Sequence, residues 1–175
     1  REGDEQYKEF TDKFKPKLTT DDCYTPGPVY DAVLKFVGTI ADLKGKKVVR
    51  PFYPGGNYED LKQYPKSAVV VDNPPFSILS KICRFYCEHQ IPFFLFGPEL
   101  TLFTAPDCDL TYINCGAHII YENGAEVRTG FITNLVPDLR IWVSPELGNM
   151  IDEAQAKEDK SKRGFVYPDN IITAA

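Results

Sequence analysis

The sequence predicts an α/β fold in which a largely parallel sheet closes with an antiparallel hairpin. Three observations carry this expectation. Residues 68–71 and 91–96 are unbroken apolar runs, the pattern of central strands covered on both faces. Segments of helical periodicity at 26–40 and 77–90 alternate with them. Glu122-Asn123-Gly124-Ala125 then separates two further β-like runs, a hairpin signal. With 175 residues, 43% of them hydrophobic, and 12 Phe and 10 Tyr, a single domain over 1–175 with a sizeable core is expected.

Taken in order, residues 1–18 are charged and Lys-rich. Phe10 and Phe14 share one helix face there, so a short helix or an arm is expected. Residues 18–24 are polar and loop-like. Thr25 is placed as an N-cap with Pro26 at the first helical position, and Val29, Val33, Phe36, Val37 and Ile40 form the apolar stripe that follows. After an exit turn at 43–47 the first strand is set at 48–52, running into Pro54-Gly55-Gly56. Residues 58–66 are short and polar. The helix at 77–90 turns Ile78, Leu79, Ile82, Phe85 and Tyr86 inward. The strand at 91–96 is stopped by Gly97-Pro98, and 99–104 reads as a helical turn. Strands follow at 110–113, 117–121 and 127–135, with an edge strand at 141–143. The C-terminal segment, 149–175, is expected to be partly mobile: 149–163 is charged and partly helical, 167–170 is a loop and cap, and 171–175 starts a helix that the chain end cuts short.

The formal net charge of −5 argues against strong autonomous binding along a length of nucleic acid. It leaves room for a catalytic domain whose phosphate contacts come from one small patch, from a segment outside this sequence or from a partner subunit. No apolar run approaches the length of a membrane span. Of the five cysteines, only Cys83 and Cys87 lie one helical turn apart, and no Cys/His cluster has zinc spacing. Reduced core thiols, no metal and a cytoplasmic setting are the expectation.

The chemistry concentrates at residues 68–76. A buried strand runs straight into Asp72 and Asn73, whose side-chain oxygens stand at the strand end where open α/β sheets place their ligands. Pro74 and Pro75 fix φ and donate no N–H, which leaves nearby carbonyls free to accept. Phe76 adds a flat apolar face. An amide oxygen and a backbone carbonyl can both accept from an exocyclic NH2 while a ring stacks on the heterocycle, which is how enzymes acting on a flipped base read it. Upstream, Arg50-Pro51-Phe52-Tyr53-Pro54-Gly55-Gly56 follows the first strand with two glycines that permit a tight turn and close backbone approach. Asp21-Asp22-Cys23-Tyr24-Thr25-Pro26 leads into a helix N-terminus suited to a carboxylate.

Asn73-Pro74-Pro75-Phe76 resembles the Asn/Asp-Pro-Pro-Tyr/Phe signature of S-adenosylmethionine-dependent amino methyltransferases, most closely the adenine-N6 DNA methyltransferases with their short phage-type members. The Pro51-Phe52 segment resembles that family's Pro-Phe-x-Gly-x-Gly cofactor motif, although here the glycines are adjacent and preceded by Pro54. Tyr24-Thr25-Pro26 resembles its Tyr-x-Thr-Pro segment, and the three occur in the order of one class of the family, over residues 20–105. The resemblance implies a Rossmann-like sheet with an inserted antiparallel strand, S-adenosylmethionine as cofactor, and duplex DNA carrying a flipped adenine as substrate. It admits a homodimer or a partner subunit. It implies that Asn73 and the Pro74 carbonyl accept hydrogen bonds from N6, with Pro75 stiffening the tip and Phe76 stacking on the base. Tyr24, Thr25, Pro26, Pro51, Phe52, Gly55, Gly56 and Asp72 would line the cofactor.

One departure is large. Only residues 57–67 separate the glycine turn from the strand carrying Asn73, where the family places two more strands, the second ending in an acid that holds the ribose. A βαβ unit takes about 30 residues, so a reduced sheet is expected. Either Glu59 or Asp60 then serves as ribose acceptor, or the adenosine is held differently, or the cofactor is not bound. The rival expectation is therefore a degenerate, non-catalytic module that binds a nucleotide or a protein; a third is the same chemistry on RNA or on a glutamine side chain. His89 and His118 lack the spacing of a nucleophile system. Phe93, Phe94 and Phe96 are expected in the core, and Phe103 either there or in the wall of a base pocket.

Overall fold

Strand β2, Ala68–Asp72, is buried at every position, and the sheet builds outward from it in a computed structural model that describes residues 24–136 and 138–163. The expected arm at 1–18, the Asp21-Asp22-Cys23 segment, and the loop and helix start at 167–175 lie outside the described residues. Strands β1 (Lys47–Val49) and β3 (Phe93–Pro98) flank β2 in parallel. Strand β4 (Thr111–Ile120) forms a hairpin with β5 (Glu126–Thr133), and β5 inserts antiparallel between β3 and β4. Strand β6 (Ile141–Val143) runs parallel to β4 at the edge. The six strands of the described residues are thus ordered β1-β2-β3-β5-β4-β6, and among those residues the chain is α/β with a mixed sheet and three helices.

Alternation along the buried strands divides the core in two. Val69, Val71, Phe94, Phe96 and Phe131 face helix α1 (Gly27–Ile40) and helix α3 (Pro145–Arg163), meeting Val33, Phe36, Leu147 and Ile151. Val70, Phe93, Leu95 and Ile132 face helix α2 (Leu79–Glu88), meeting Ile82 and Tyr86. Cover on both faces is why these strands show no polar alternation. Each fully buried Val, Leu or Phe contributes about 1.5–3 kcal/mol. Among the described residues Cys83, Cys87, Cys108 and Cys115 are free thiols.

The structure moves several boundaries. The first strand ends at Val49 rather than 52, because Pro51 has no N–H for the ladder and the Phe52 N–H is taken by a side chain. Pro26, not Thr25, is the N-cap of α1: its carbonyl accepts from Tyr30 N at 3.0 Å, so the helix begins at Gly27. Residues 110–113 and 117–121 are not two strands. They belong to the single strand β4, in which Asn114-Cys115-Gly116 bulge opposite Gly130. The hairpin is not the sheet's end, since β6 lies outside it. Helix α3 starts at Pro145, four residues ahead of the charged stretch, with Ser144 Oγ accepting from Leu147 N at 3.4 Å and Leu147, Ile151 and Ala154 buried.

Gly97 and Pro98 do not stop β3 but continue its ladder, because Gly97 faces Gly130 and the two absent side chains leave a notch for Leu102. A Cβ on Gly130 would lie 2.8 Å from both the Ile113 carbonyl oxygen and Leu102 Cδ2. The Gly130→Ala variant is therefore expected to lose about 1–3 kcal/mol of stability, read as a Tm lowered by several degrees in thermal unfolding.

Candidate functional site

A cavity of about 410 Å3 opens at the C-terminal ends of β1 and β2, within the roughly 300–1,000 Å3 of small-molecule sites. Its wall comes from segments far apart in sequence. Tyr24 and Thr25 lead into α1; Arg50, Pro51, Phe52, Tyr53, Pro54, Gly56, Asn57 and Tyr58 follow β1; Asp72, Asn73, Pro75 and Ile78 follow β2. This is the edge where open α/β sheets bind ligands.

Of the residues expected at a site, the structure brings Tyr24, Thr25, Pro51, Phe52, Gly56, Asp72, Asn73 and Pro75 to this wall. Pro26, Gly55, Pro74 and Phe76 lie outside it. Phe76 opens the 3-10 turn Phe76–Ile78 and is half-buried against the core on the α1 side. Glu59 and Asp60 are outside the wall as well, and the Asp60 carboxylate caps the next turn, accepting from Lys62 N at 3.1 Å. Phe103 is 66% exposed, its ring 5.1 Å from that of Tyr112, in neither the core nor the cavity. His89 stacks on Phe85, and His118 lies 3.4 Å from Glu126 on the exposed hairpin. Arg50 is a wall residue that no motif role singles out, although a charged residue at the end of a buried strand is a signal for it.

Asp72 fastens the site together. It is 2% exposed. Its Oδ2 accepts from Phe52 N at 3.0 Å, and its Oδ1 accepts from Asn73 N at 3.0 Å and Arg50 Nε at 3.2 Å. Burial pushes its carboxyl above the ordinary range, opposed by the Phe52 N–H and by Arg50. The Arg50 guanidinium carbon in turn lies 3.8 Å from the centre of the Tyr30 ring, and Tyr30 donates its hydroxyl to the Val71 carbonyl at 2.8 Å. Burial pushes that hydroxyl up to about 12, against the lowering influence of Arg50.

The segment after β1 is shaped by its own turn. Gly56 N donates to the Tyr53 carbonyl at 2.8 Å, with Pro54 and then Gly55 at φ +81° between them. That is a type II turn, which requires glycine at its third position. A Cβ on Gly56 would lie 2.4 Å from the Pro51 carbonyl oxygen. The adjacent glycines are therefore explained by the turn itself. Beyond it, Tyr58 sets its ring edge-on to Phe85 at 5.5 Å, and Tyr64 donates to the Tyr58 carbonyl at 2.8 Å. Tyr64 Oη also lies 3.1 Å from Tyr86 Oη. Burial raises the hydroxyls of Tyr58, Tyr64 and Tyr86.

Comparison with protein-family models, with curated proteins and with solved structures gives no match. Among the described residues no helix is long and apolar enough to cross a membrane. What the site can do follows from its own geometry.

Removing the Asp72 carboxylate leaves the Phe52 and Asn73 N–H groups without their acceptor. The Asp72→Ala variant is expected to lose about 1–3 kcal/mol. Because burial raises the folded-state pKa above the ordinary 3.8, the carboxyl's contribution is full below that value and declines as pH rises through the folded-state value. The gap between wild type and variant should be widest in acid and narrow with rising pH, measured by urea unfolding from about pH 3 to pH 7.

Proposed function

We propose that this protein is an S-adenosylmethionine-dependent methyltransferase acting on the N6 amino group of adenine in DNA. The observation that carries the reading is convergence. Tyr24-Thr25-Pro26, the Pro51–Gly56 segment and Asn73-Pro74-Pro75-Phe76 resemble three motifs of that family in order, and Tyr24, Thr25, Pro51, Phe52, Gly56, Asn73 and Pro75 from them wall one cavity at the strand ends. The antiparallel insertion of β5 between β3 and β4 supports a Rossmann-like sheet of the same kind.

The wall suits such a cofactor in part. Its volume falls in the range of small-molecule sites, and Thr25 Oγ1 is buried in it with no hydrogen-bond partner among the described residues. Its one carboxylate, Asp72, has both oxygens engaged, so ribose hydroxyls would meet Asn57 or a tyrosine hydroxyl rather than an acid.

When bound, S-adenosylmethionine supplies an electrophilic methyl group on a sulfonium. The chain supplies position. The side-chain carbonyl of Asn73, a wall residue, would accept a hydrogen bond from N6 and orient the amine; Pro74, whose carbonyl the resemblance gives the same role, lies outside the wall. The two prolines limit the motion of the tip, and Asp72 fixes the Asn73 backbone through its N–H. Tyr24, Pro51, Phe52 and Tyr58 would supply apolar surface to the wall. Phe76 packs against the core outside the wall, so on this reading the stacking surface for the base would come from the wall's own rings rather than from Phe76. Catalysis on this reading rests on orientation and electrostatics.

One observation favours a second reading, a degenerate module that binds without catalysis: Glu59 and Asp60 stand outside the cavity, so no free carboxylate meets a ribose. A single experiment separates the two. The Asn73→Ala variant is expected to lose about 100- to 1,000-fold in methyl transfer to duplex DNA, with its Tm and its cofactor affinity by titration calorimetry unchanged. Turnover equal to wild type would remove the mechanism. A wild type that binds no S-adenosylmethionine at millimolar ligand would favour the module.

A further inference from the structure

We infer that Arg50 contacts the ligand, as a clamp within the cavity for a carboxylate or phosphate group. This deepens the methyltransferase reading and rests on it for the adenosine part of the ligand. Arg50 leaves the C-terminal end of β1 and lines the cavity, its side chain 49% exposed. Its orientation is held from two sides, by the Tyr30 ring beneath the guanidinium plane and by Asp72 on Nε. Its Nη1 and Nη2 have no hydrogen-bond partner among the described residues.

A guanidinium accepts nothing, and its terminal fork matches the paired oxygens of a carboxylate or phosphate. The stack and the Nε bond order the side chain in advance, so little rotamer entropy remains to be lost on binding. Arg84 shows what an arginine engaged by the protein looks like here: Nε and Nη2 donate to Asp107 and Nη1 donates to Ser80. Arg128, with Nε on Glu99, faces open solvent at the hairpin rather than a cavity. A second polar group supports an anion at this wall. Thr25 is 7% exposed, and its Oγ1 has no partner among the described residues, so its hydroxyl is available to donate. Asp72, the other charged side chain of the wall, has its oxygens taken by Arg50, Phe52 and Asn73.

The anion has two candidate sources on an adenosine ligand, an amino-acid carboxylate or a 5′-phosphate. Titration calorimetry on the full chain distinguishes them with S-adenosylhomocysteine, AMP and 5′-methylthioadenosine, the last carrying neither group. Wild type is expected to bind one of the two anionic ligands at least about tenfold more tightly than methylthioadenosine, and which one identifies the source. Arg50→Ala should remove about 10- to 100-fold of that affinity and leave methylthioadenosine binding as it was. Arg50→Lys keeps a cation beside Asp72 without the fork, and should recover only part of the preference. If the alanine variant loses methylthioadenosine too, the lysine variant decides. A preference reduced with methylthioadenosine retained supports the clamp, and an unreduced one overturns it. Equal affinity of wild type for all three ligands, or a preference that survives Arg50→Ala, overturns the clamp and leaves the cofactor reading standing. Failure of wild type to bind any of the three overturns the cofactor reading, and the clamp with it.

Discussion

The Asp72 carboxylate joins pieces that the sheet by itself holds weakly. Strand β1 contributes only Lys47–Val49 to the ladder, and Pro51 prevents its extension. The segment that leaves it would be loosely placed if backbone pairing were its only tether. Instead the Phe52 N–H and the Arg50 Nε both reach Asp72, the last residue of β2. Removing a carboxylate from water is costly unless its lone pairs are met, and here three donors offset that cost in part, burial still raising the carboxyl. The same point gathers α1, because Arg50 stacks on Tyr30 and Tyr30 donates to Val71 beside it. An acid closing a run of three valines is thus accounted for by structure before any ligand is considered, and the cavity forms around it.

Legibility in the sequence followed how local the deciding physics was. The valine run, the phenylalanine strand and the Asn-Gly hairpin depend on covered faces and turn geometry; the first and last stand where pattern and turn residues place them, and the phenylalanine strand is present but runs Phe93–Pro98 rather than 91–96. The end of β1 was misplaced because apolar character at Phe52 suggested a strand, while the partner of its N–H is a side chain 20 residues on. Strand β4 was divided because Asn114-Cys115-Gly116 breaks the apolar run, and a bulge breaks a run without ending a strand. The start of α3 was legible and overlooked: Ser144-Pro145-Glu146 is a cap, a proline at the first helical position and an acid in the first turn. At the site, motif order pointed to eight wall residues, but no local rule says which way a guanidinium turns, and Arg50 was missed.

Open strand edges are a hazard, and β1 forms one edge of this sheet, carrying the exposed Lys47 with Lys46 just before it. Parallel neighbours such as β1 and β2 are usually joined through a helix; here residues 50–67 contain only the 3-10 turn Leu61–Gln63. What secures this crossover is a set of rings. Phe52 meets Tyr58, Tyr58 meets Phe85 and Tyr86, and Tyr64 meets Tyr86, so the loop is anchored on α2 and not on further strands.

A wall anchored by side chains can have a definite shape without a ladder, because aromatic pairs have preferred geometry and bury large areas. The cavity beside β1 therefore needs no further strand to shape it. On the proposed reading, a sheet that ends at β1 offers no further strand end from which an acid could reach a ribose. The polar groups that remain are unevenly placed: Arg50 and Thr25 offer donors, while the one carboxylate of the wall is already occupied. On the methyltransferase reading proposed above, these donors would meet the anionic end of the cofactor rather than its sugar, and it is at the sugar that the catalytic and degenerate readings of this site part.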